Sequence, residues 1–318
     1  MRIGRWFSLG LVLCLVQLSS STAGPLPLPT QTLHNVEYGR ADGRPLLLDI
    51  LEPVTVSPRP RPAVIFIHGG SWRRGHRWDP PTPLLAEEGY FTASIDYRLS
   101  SDAIFPAAVE DAKCAVRWLR SNAARYNVDP NRIGVWGESA GGHLAEFLGT
   151  TADDPRFEGT GGWNKVSSRV NCVVSFFGPS NFKPPTPQTI FNPRHPVVEF
   201  LGAQYPDNPG LYRAASPITY VSRTSAPLLL VHGDHDPIVP VQQSIWMADA
   251  MTKAGADVQL IIVTNGVHGI FLNEILPISP RPSQIKTAVL DWFDHYLRPP
   301  PETINPPKSG QSPAIPRE

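Results

Sequence analysis

Apolar residues in this chain fall into short runs, separated by polar stretches rich in glycine and proline. Ala63-Val64-Ile65-Phe66-Ile67 is apolar at every position, the pattern of a strand covered on both faces of a sheet. Residues 90–97, 132–136, 170–177, 226–231 and 258–263 read as further strands. Between them the spacing changes to that of helices. In 107–124, Val109, Val116, Leu119 and Ala123 recur at helical intervals, with Cys114 and Trp118 adding to the apolar face. Residues 83–88, stopped by Gly89, and 241–254 are also read as helices. The last helix, 285–297, gathers Ile285, Val289, Trp292 or Phe293, and Tyr296 on one side. Ahead of this alternation, 34–39 and 45–51 read as two strands joined at Asp42-Gly43, a hairpin signal. An opening hairpin followed by alternating strand and helix predicts an α/β fold, a mostly parallel sheet with helices on both faces.

The ends of the chain break this pattern. Arg2 and Arg5 precede an apolar run over 7–18, and small residues follow, with Ser21 and Ala23 at the −3 and −1 positions of a cleavage site. Residues 1–23 are therefore read as a signal peptide. The run is about a dozen residues, too short to span a membrane comfortably, so no stable membrane insertion of the mature chain is expected. A secreted or periplasmic location follows. Residues 24–32 are proline-rich and read as a flexible lead-in. Residues 299–318 read as a disordered, proline-rich tail. No linker divides 33–298, which is taken as one domain. Within it, 179–217 is long, proline-rich and weakly periodic, and segments of that kind are more often functional than idle. It is assigned as a cap or rim.

The chain has 318 residues, 41% of them hydrophobic, enough for one large core. Lysine plus arginine and aspartate plus glutamate both number 28, so no basic excess argues for nucleic acid. The nine histidines lack a metal-ligand spacing, and no metal is expected. Cys14 leaves with the signal. Cys114 and Cys172 remain in an oxidising setting, where a disulfide and two small buried side chains are both open.

The chemistry centres on Gly137-Glu138-Ser139-Ala140-Gly141, set where a strand turns into a helix. This is the setting of a nucleophile elbow: a strained turn lifts the serine hydroxyl clear, and glycines let strand and helix approach. By itself the pattern is weak. His68-Gly69-Gly70-Ser71-Trp72 follows the strand ending at Ile67 and offers backbone N–H groups for an oxyanion. Gly70 and Ser71 are the favoured donors together with Ala140, with Gly69 shaping the loop. An acid lies in His232-Gly233-Asp234-His235-Asp236-Pro237, where two aspartates compete and Asp236 is preferred. His268, in the loop after the last strand, is the expected base. His143 is a rival assigned to local packing, His68 to bracing the oxyanion loop, and His195, His232 and His235 to structural or rim positions. The order Ser139, Asp236, His268 is that of the α/β-hydrolase fold.

These stretches, with Asp96-Tyr97-Arg98-Leu99, residues 105–126 and Ala215-Ser216-Pro217-Ile218-Thr219-Tyr220-Val221, resemble the secreted feruloyl- or acetylxylan-esterase-like enzymes near the hormone-sensitive-lipase-type family. The resemblance covers about residues 33–297. It departs at Ser71, where the usual H-G-G-G has its third glycine. It implies a serine ester hydrolase of the α/β-hydrolase fold that uses no cofactor. It leaves the ester open. A peptidase of the same fold and a non-catalytic binding protein are the competing readings. Small-acyl or compact aromatic-acid esters are expected ahead of long-chain lipid esters, with acylated polysaccharide as one source. Trp72 and Trp78 are candidate flat walls for such substrates.

Overall fold

A computed structural model describes residues 26–78, 80–183, 192, 194–269 and 277–298. The signal and tail assignments therefore lie outside the described residues. Eight strands form one sheet: β1 (Thr30–Ala41), β2 (Arg44–Pro53), β3 (Arg61–Ile67), β4 (Phe91–Ile95), β5 (Val128–Glu138), β6 (Cys172–Phe176), β7 (Leu228–Gly233) and β8 (Val258–Val263). Their spatial order is β1-β2-β4-β3-β5-β6-β7-β8. The pairs β1/β2 and β2/β4 are antiparallel, and every pair from β4/β3 to β7/β8 is parallel. The helices are α1 (Pro83–Ala86), α2 (Ala107–Asn122), α3 (Ala140–Thr150), α4 (Pro196–Leu201), α5 (Pro209–Ala214), α6 (Gln242–Ala254) and α7 (Pro282–Leu297).

The alternation within each apolar strand divides its side chains between two cores. Ala63, Ile65 and Ile67 of β3 join Val116, Leu119, Leu144 and Met247 under α2, α3 and α6. Val64 and Phe66 of the same strand face the opposite core, with Trp136, Ile285, Val289 and Phe293 under α1 and α7. All five residues of this run are buried, each large one stabilising by roughly 1.5–3 kcal/mol. Gly134 sets the depth of α7. A Cβ there would meet the Phe293 ring at 2.9 Å, so glycine lets that helix lie against β5.

One sequence expectation is corrected. The lead-in 24–32 joins the sheet from Thr30, because β2 runs on to Pro53 and its edge pairs Thr30 with Pro53 and Thr32 with Leu51. Leu28 N–H also bonds Glu87 O at 2.9 Å. Asp129-Pro130-Asn131, inside β5, forms an Asx turn in which Asp129 Oδ1 accepts from Asn131 N–H at 2.9 Å. Cys114 and Cys172 are both buried and unpaired, on α2 and β6. The hairpin turn is as read, with Asp42 at φ 51° and Gly43 at φ 77°, a pair of positive φ angles that suits the twist of two antiparallel strands.

Candidate active site

β5 ends at the carboxyl edge of the sheet and turns into α3 through Ser139. The serine backbone stands at φ 53°, ψ −118°, a region costly for any side chain and found where a site over-determines it. The flanking glycines make the turn sterically possible. A Cβ on Gly137 would lie 2.1 Å from Gly141 O, and one on Gly141 would lie 2.0 Å from Ile67 O. Ser139 N–H donates to Phe176 O at 2.8 Å, tying the turn to β6.

The loop after β3 passes beside this turn. A Cβ on Gly69 would sit 3.3 Å from Ser139 Cβ. Gly70 at φ 113°, Ser71 at φ 58° and Trp72 at φ 56° follow one another in left-handed backbone. Ser71 thus carries at some cost a conformation that glycine adopts freely. The loop is held from outside. Arg73 and Arg74 N–H both reach Gly70 O, and Ser100 Oγ reaches Trp72 O at 3.0 Å. His68 stacks on Tyr97 with ring centres 4.4 Å apart, and its Nδ1 donates to Gly69 O at 2.7 Å. Burial lowers the His68 pKa, which suits a neutral brace. Among the described residues, no acceptor takes the N–H of Gly70, Ser71 or Ala140. Ser71 and Ala140 border the same cavity as Ser139; Gly69 and Gly70 do not.

The loops after β7 and β8 complete the cluster. His268 Nε2 lies 3.0 Å from Ser139 Oγ, and His268 Nδ1 lies 2.7 Å from Asp236 Oδ2. Asp236 Oδ1 accepts from the N–H groups of Ile238 at 2.8 Å and Val239 at 2.9 Å. Burial would raise the Asp236 carboxyl. Hydrogen bonds from His232, His268 and these two N–H groups outweigh it and hold the group well below the ordinary carboxylate range. Asp234 turns away and bonds His235 Nδ1 at 2.6 Å. His143 is fully buried in α3 with Nε2 2.8 Å from Ala215 O, and burial pushes its pKa down to about 4. Glu138, next to the serine, is pushed up to about 7 by burial, against the pull of His268.

Sequence reasoning left His232 as a structural or rim residue. It is fully buried, and its Nε2 faces both Val239 O at 2.8 Å and Asp236 Oδ2 at 3.3 Å. The i,i+4 spacing of His232 and Asp236 was the signal available.

Ser139 opens on a cavity of about 410 Å³. Trp72 and Phe182 give it aromatic walls, Val197 and Tyr212 bring in the 179–217 segment, and Ile238 and Gln243 close it from the β7 side. Trp72 is stacked on Phe200 with ring centres 4.6 Å apart. Trp78 does not reach this cavity. It is 62% exposed, stacks on His76 and borders a separate hollow beside Arg77 and Asp49. Residues 184–191 and 193 of the rim segment lie outside the described residues.

A profile of the BD-FAE family matches residues 48–251. Esterase LipQ of Mycobacterium tuberculosis is 34% identical over 265 residues, 81% of this chain and 61% of that protein. This chain spans from half to about three fifths of the length of LipQ and two further esterases of that organism. A carbohydrate esterase from gut microbiota, solved in truncated form, superposes with a TM-score of 0.72 at 29% identity, over 84% of this chain and 96% of that one. Esterase Est2 of Thermogutta terrifontis gives 0.68 at 28% identity, over 84% and 94%.

Proposed function

This chain belongs to the BD-FAE family of α/β-hydrolases, and we propose that it is an exported serine carboxylic-ester hydrolase working through an acyl-enzyme. The observation that carries the reading is the unbroken hydrogen-bonded line from Asp236 through His268 to Ser139, ending in a cavity. Ser139 Oγ attacks the ester carbonyl carbon while His268 Nε2 takes its proton. Asp236 keeps His268 Nδ1–H oriented and balances the imidazolium that forms. The oxyanion is held by N–H groups of Ala140 and of the Gly70-Ser71 strip, with Gly69 letting that strip lie beside the serine. His268 then gives its proton to the leaving alkoxide, and the acyl group stays on Ser139. Water, deprotonated by His268, attacks the acyl carbon; the bond to Ser139 Oγ then breaks as His268 returns the proton to that oxygen, and the acid leaves. No step calls for a cofactor.

Small acyl groups and compact aromatic acids fit a cavity of about 410 Å³, toward the lower end of the usual range for ligand sites. The solved Est2 structures with propionate and butyrate bound support the short-acyl part. The carbohydrate-esterase neighbour supports acylated polysaccharide as the source. The signal-like start supports a location outside the cytoplasm, where such material is met. The test is a panel of esters and matching amides with the parent and Ser139→Ala. The parent should take up one fluorophosphonate per chain and turn over esters well ahead of amides, and the variant should lose about 10⁶-fold in kcat. Preferential amide cleavage would make the chain a peptidase. An unlabelled, inactive parent would make it a binding protein.

A further inference from the structure

We infer that His232 is a positioning residue of this site, one that acts on Ser139 only through Asp236. The inference rests on the reading of Ser139, His268 and Asp236 given above.

The hydrogen bonds around His232 require a hydrogen on Nε2. Nε2 faces two groups that only accept, Val239 O at 2.8 Å and the Asp236 carboxylate at 3.3 Å. It must therefore carry a hydrogen. Nδ1 faces the hydroxyl of Ser244 on α6 at 2.7 Å. With Nε2–H present, the neutral ring leaves Nδ1 as an acceptor and Ser244 O–H as its donor, and every polar atom in the group is then satisfied. Both side chains are fully buried, so water does not compete for these bonds.

Two consequences follow from this arrangement. His232 clamps the turn that carries the acid. It grips Val239 at its carbonyl, while Val239 N–H grips Asp236 Oδ1 at 2.9 Å. Asp236 is thereby held at both oxygens, by two backbone N–H groups on one and by two histidines on the other. His232 Nε2 also lies 3.3 Å from the oxygen that His268 uses, which favours negative charge at that oxygen, beside His268 Nδ1. Through Ser244 the clamp is fastened to α6, and through β7 to the sheet. A rigid support of this kind is what a hydrogen-bonded base requires, since a misplacement near 1 Å can cost about 10² in rate.

The experiment compares His232→Leu, His232→Gln and Ser244→Ala in folded protein, each in the parent and in an Asp236→Asn background. Gln keeps an N–H at the position of Nε2, and Leu does not. His232→Leu should lower kcat by about 10²-fold with little change in KM. His232→Gln should recover the larger part of that loss. Ser244→Ala, which leaves Nδ1 without its partner and loosens the ring, should lie between them. In the Asp236→Asn background the Leu effect should nearly vanish, because both changes act on one element. The downfield proton resonance of His268 Nδ1–H should move or broaden in His232→Leu and return in His232→Gln. The inference is overturned if Gln and Leu are equally impaired, if the losses simply add to that of Asp236→Asn, or if the resonance stays fixed in His232→Leu. That resonance needs no turnover. It judges the coupling separately from the catalytic reading, which retention of activity in Ser139→Ala would defeat.

Discussion

Asp234 and Asp236 sit two residues apart on one loop, yet their carboxyls have opposite surroundings. Asp236 is enclosed and takes bonds from two histidines and two backbone N–H groups. Asp234 bonds the exposed His235 beside it. Asp236→Asn replaces an acceptor oxygen with a donor facing His268 Nδ1–H, so that the ring takes the wrong tautomer. It should lower kcat by about 10⁴-fold, whereas Asp234→Asn should change it by less than about threefold. Measured kcat values in the reverse order would assign the acid to Asp234. The glycines allow a second comparison. Gly141→Ala puts a methyl 2.0 Å from Ile67 O, where only a backbone shift relieves the clash. It should lower Tm by several degrees, at a cost of about 1–3 kcal/mol. An unchanged melt would show that β3 and α3 are free to part. At this scale the sequence was informative wherever chemistry demands a residue type. A serine between glycines, an aspartate three residues after Gly233 and a histidine after the last strand are local patterns, and the structure brings those three side chains together. The partnership of His232 with Ser244 and Asp236 was not legible, because one of its links reaches twelve residues along the chain to the next helix. Trp78 misled for a related reason. Nearness to the oxyanion loop in sequence says nothing of the direction in which an exposed loop turns.

The elements were legible in proportion to how fully they are buried. β3 and β7 carry unbroken apolar runs, and β4 and β6 are buried at every position, because helices cover both faces; the long helices show one apolar side. The start of β1 is the opposite case. Residues 30–35 are exposed and mostly polar, and they pair with β2 through backbone groups and polar side-chain bonds, Gln31 to Glu52 and His34 to Asp49. Hydrophobic periodicity has no purchase on such a stretch, so it was read as a lead-in. Helix α3 carries a further consequence. Glu146, in the helix that begins at the nucleophile, is fully buried. Burial pushes its carboxyl up to about 8, against the Ser175 hydroxyl that donates to Oε1 at 2.7 Å. Oε2 has no partner. In the unfolded chain the same group titrates near about 4.3. Between those values the folded state holds a proton that the unfolded state has released, so stability falls as pH rises from about 4.3 to about 8 and levels beyond. Glu146→Gln keeps the shape of the neutral acid and removes the titration. Its Tm relative to the parent should climb between pH 5 and pH 8, by an amount worth on the order of a few kcal/mol at most. Thermal melts of both proteins at pH 5, 7 and 9 check this, and a difference that does not vary with pH would mean that Glu146 is not the titrating group.

At the scale of the whole molecule, the sheet places three loops at one edge, and described parts of the 179–217 segment border the cavity there. Its described parts contribute Phe182, Val197 and Tyr212 to the cavity in front of Ser139. The segment is also fastened to the body. Phe182 N–H donates to the buried Ser216 hydroxyl at 2.9 Å, and Ser180 is bonded to Gln243 of α6. Arg73 of the oxyanion loop reaches Glu199 of α4 at 3.2 Å. α4 and α5 are six residues each, and each begins with a proline that fixes the local backbone. Such a segment makes a stiff wall, unlike a long amphipathic lid that swings open on an oil surface. The floor is stiff as well, since Trp72 is clasped between Phe200 and the His143 ring. Aromatic walls beside Ser139 should favour an acetyl, propionyl, butyryl or compact aromatic group over a long chain. Each methylene that enters adds about 0.8 kcal/mol of favourable burial, so kcat/KM should rise from acetate toward butyrate while the cavity fills. It should then fall by at least about tenfold for octanoate and further for palmitate, as the chain outgrows the space. The p-nitrophenyl esters of these four acids measure it directly, because they share one leaving group. Opening the wall supplies the complementary arm. Phe182→Ala should shift the optimum to a longer chain while cutting the rate on acetate only modestly. An optimum at octanoate or longer in the parent would mean that the rim yields to the substrate, and a profile unmoved by Phe182→Ala would place the acyl chain elsewhere.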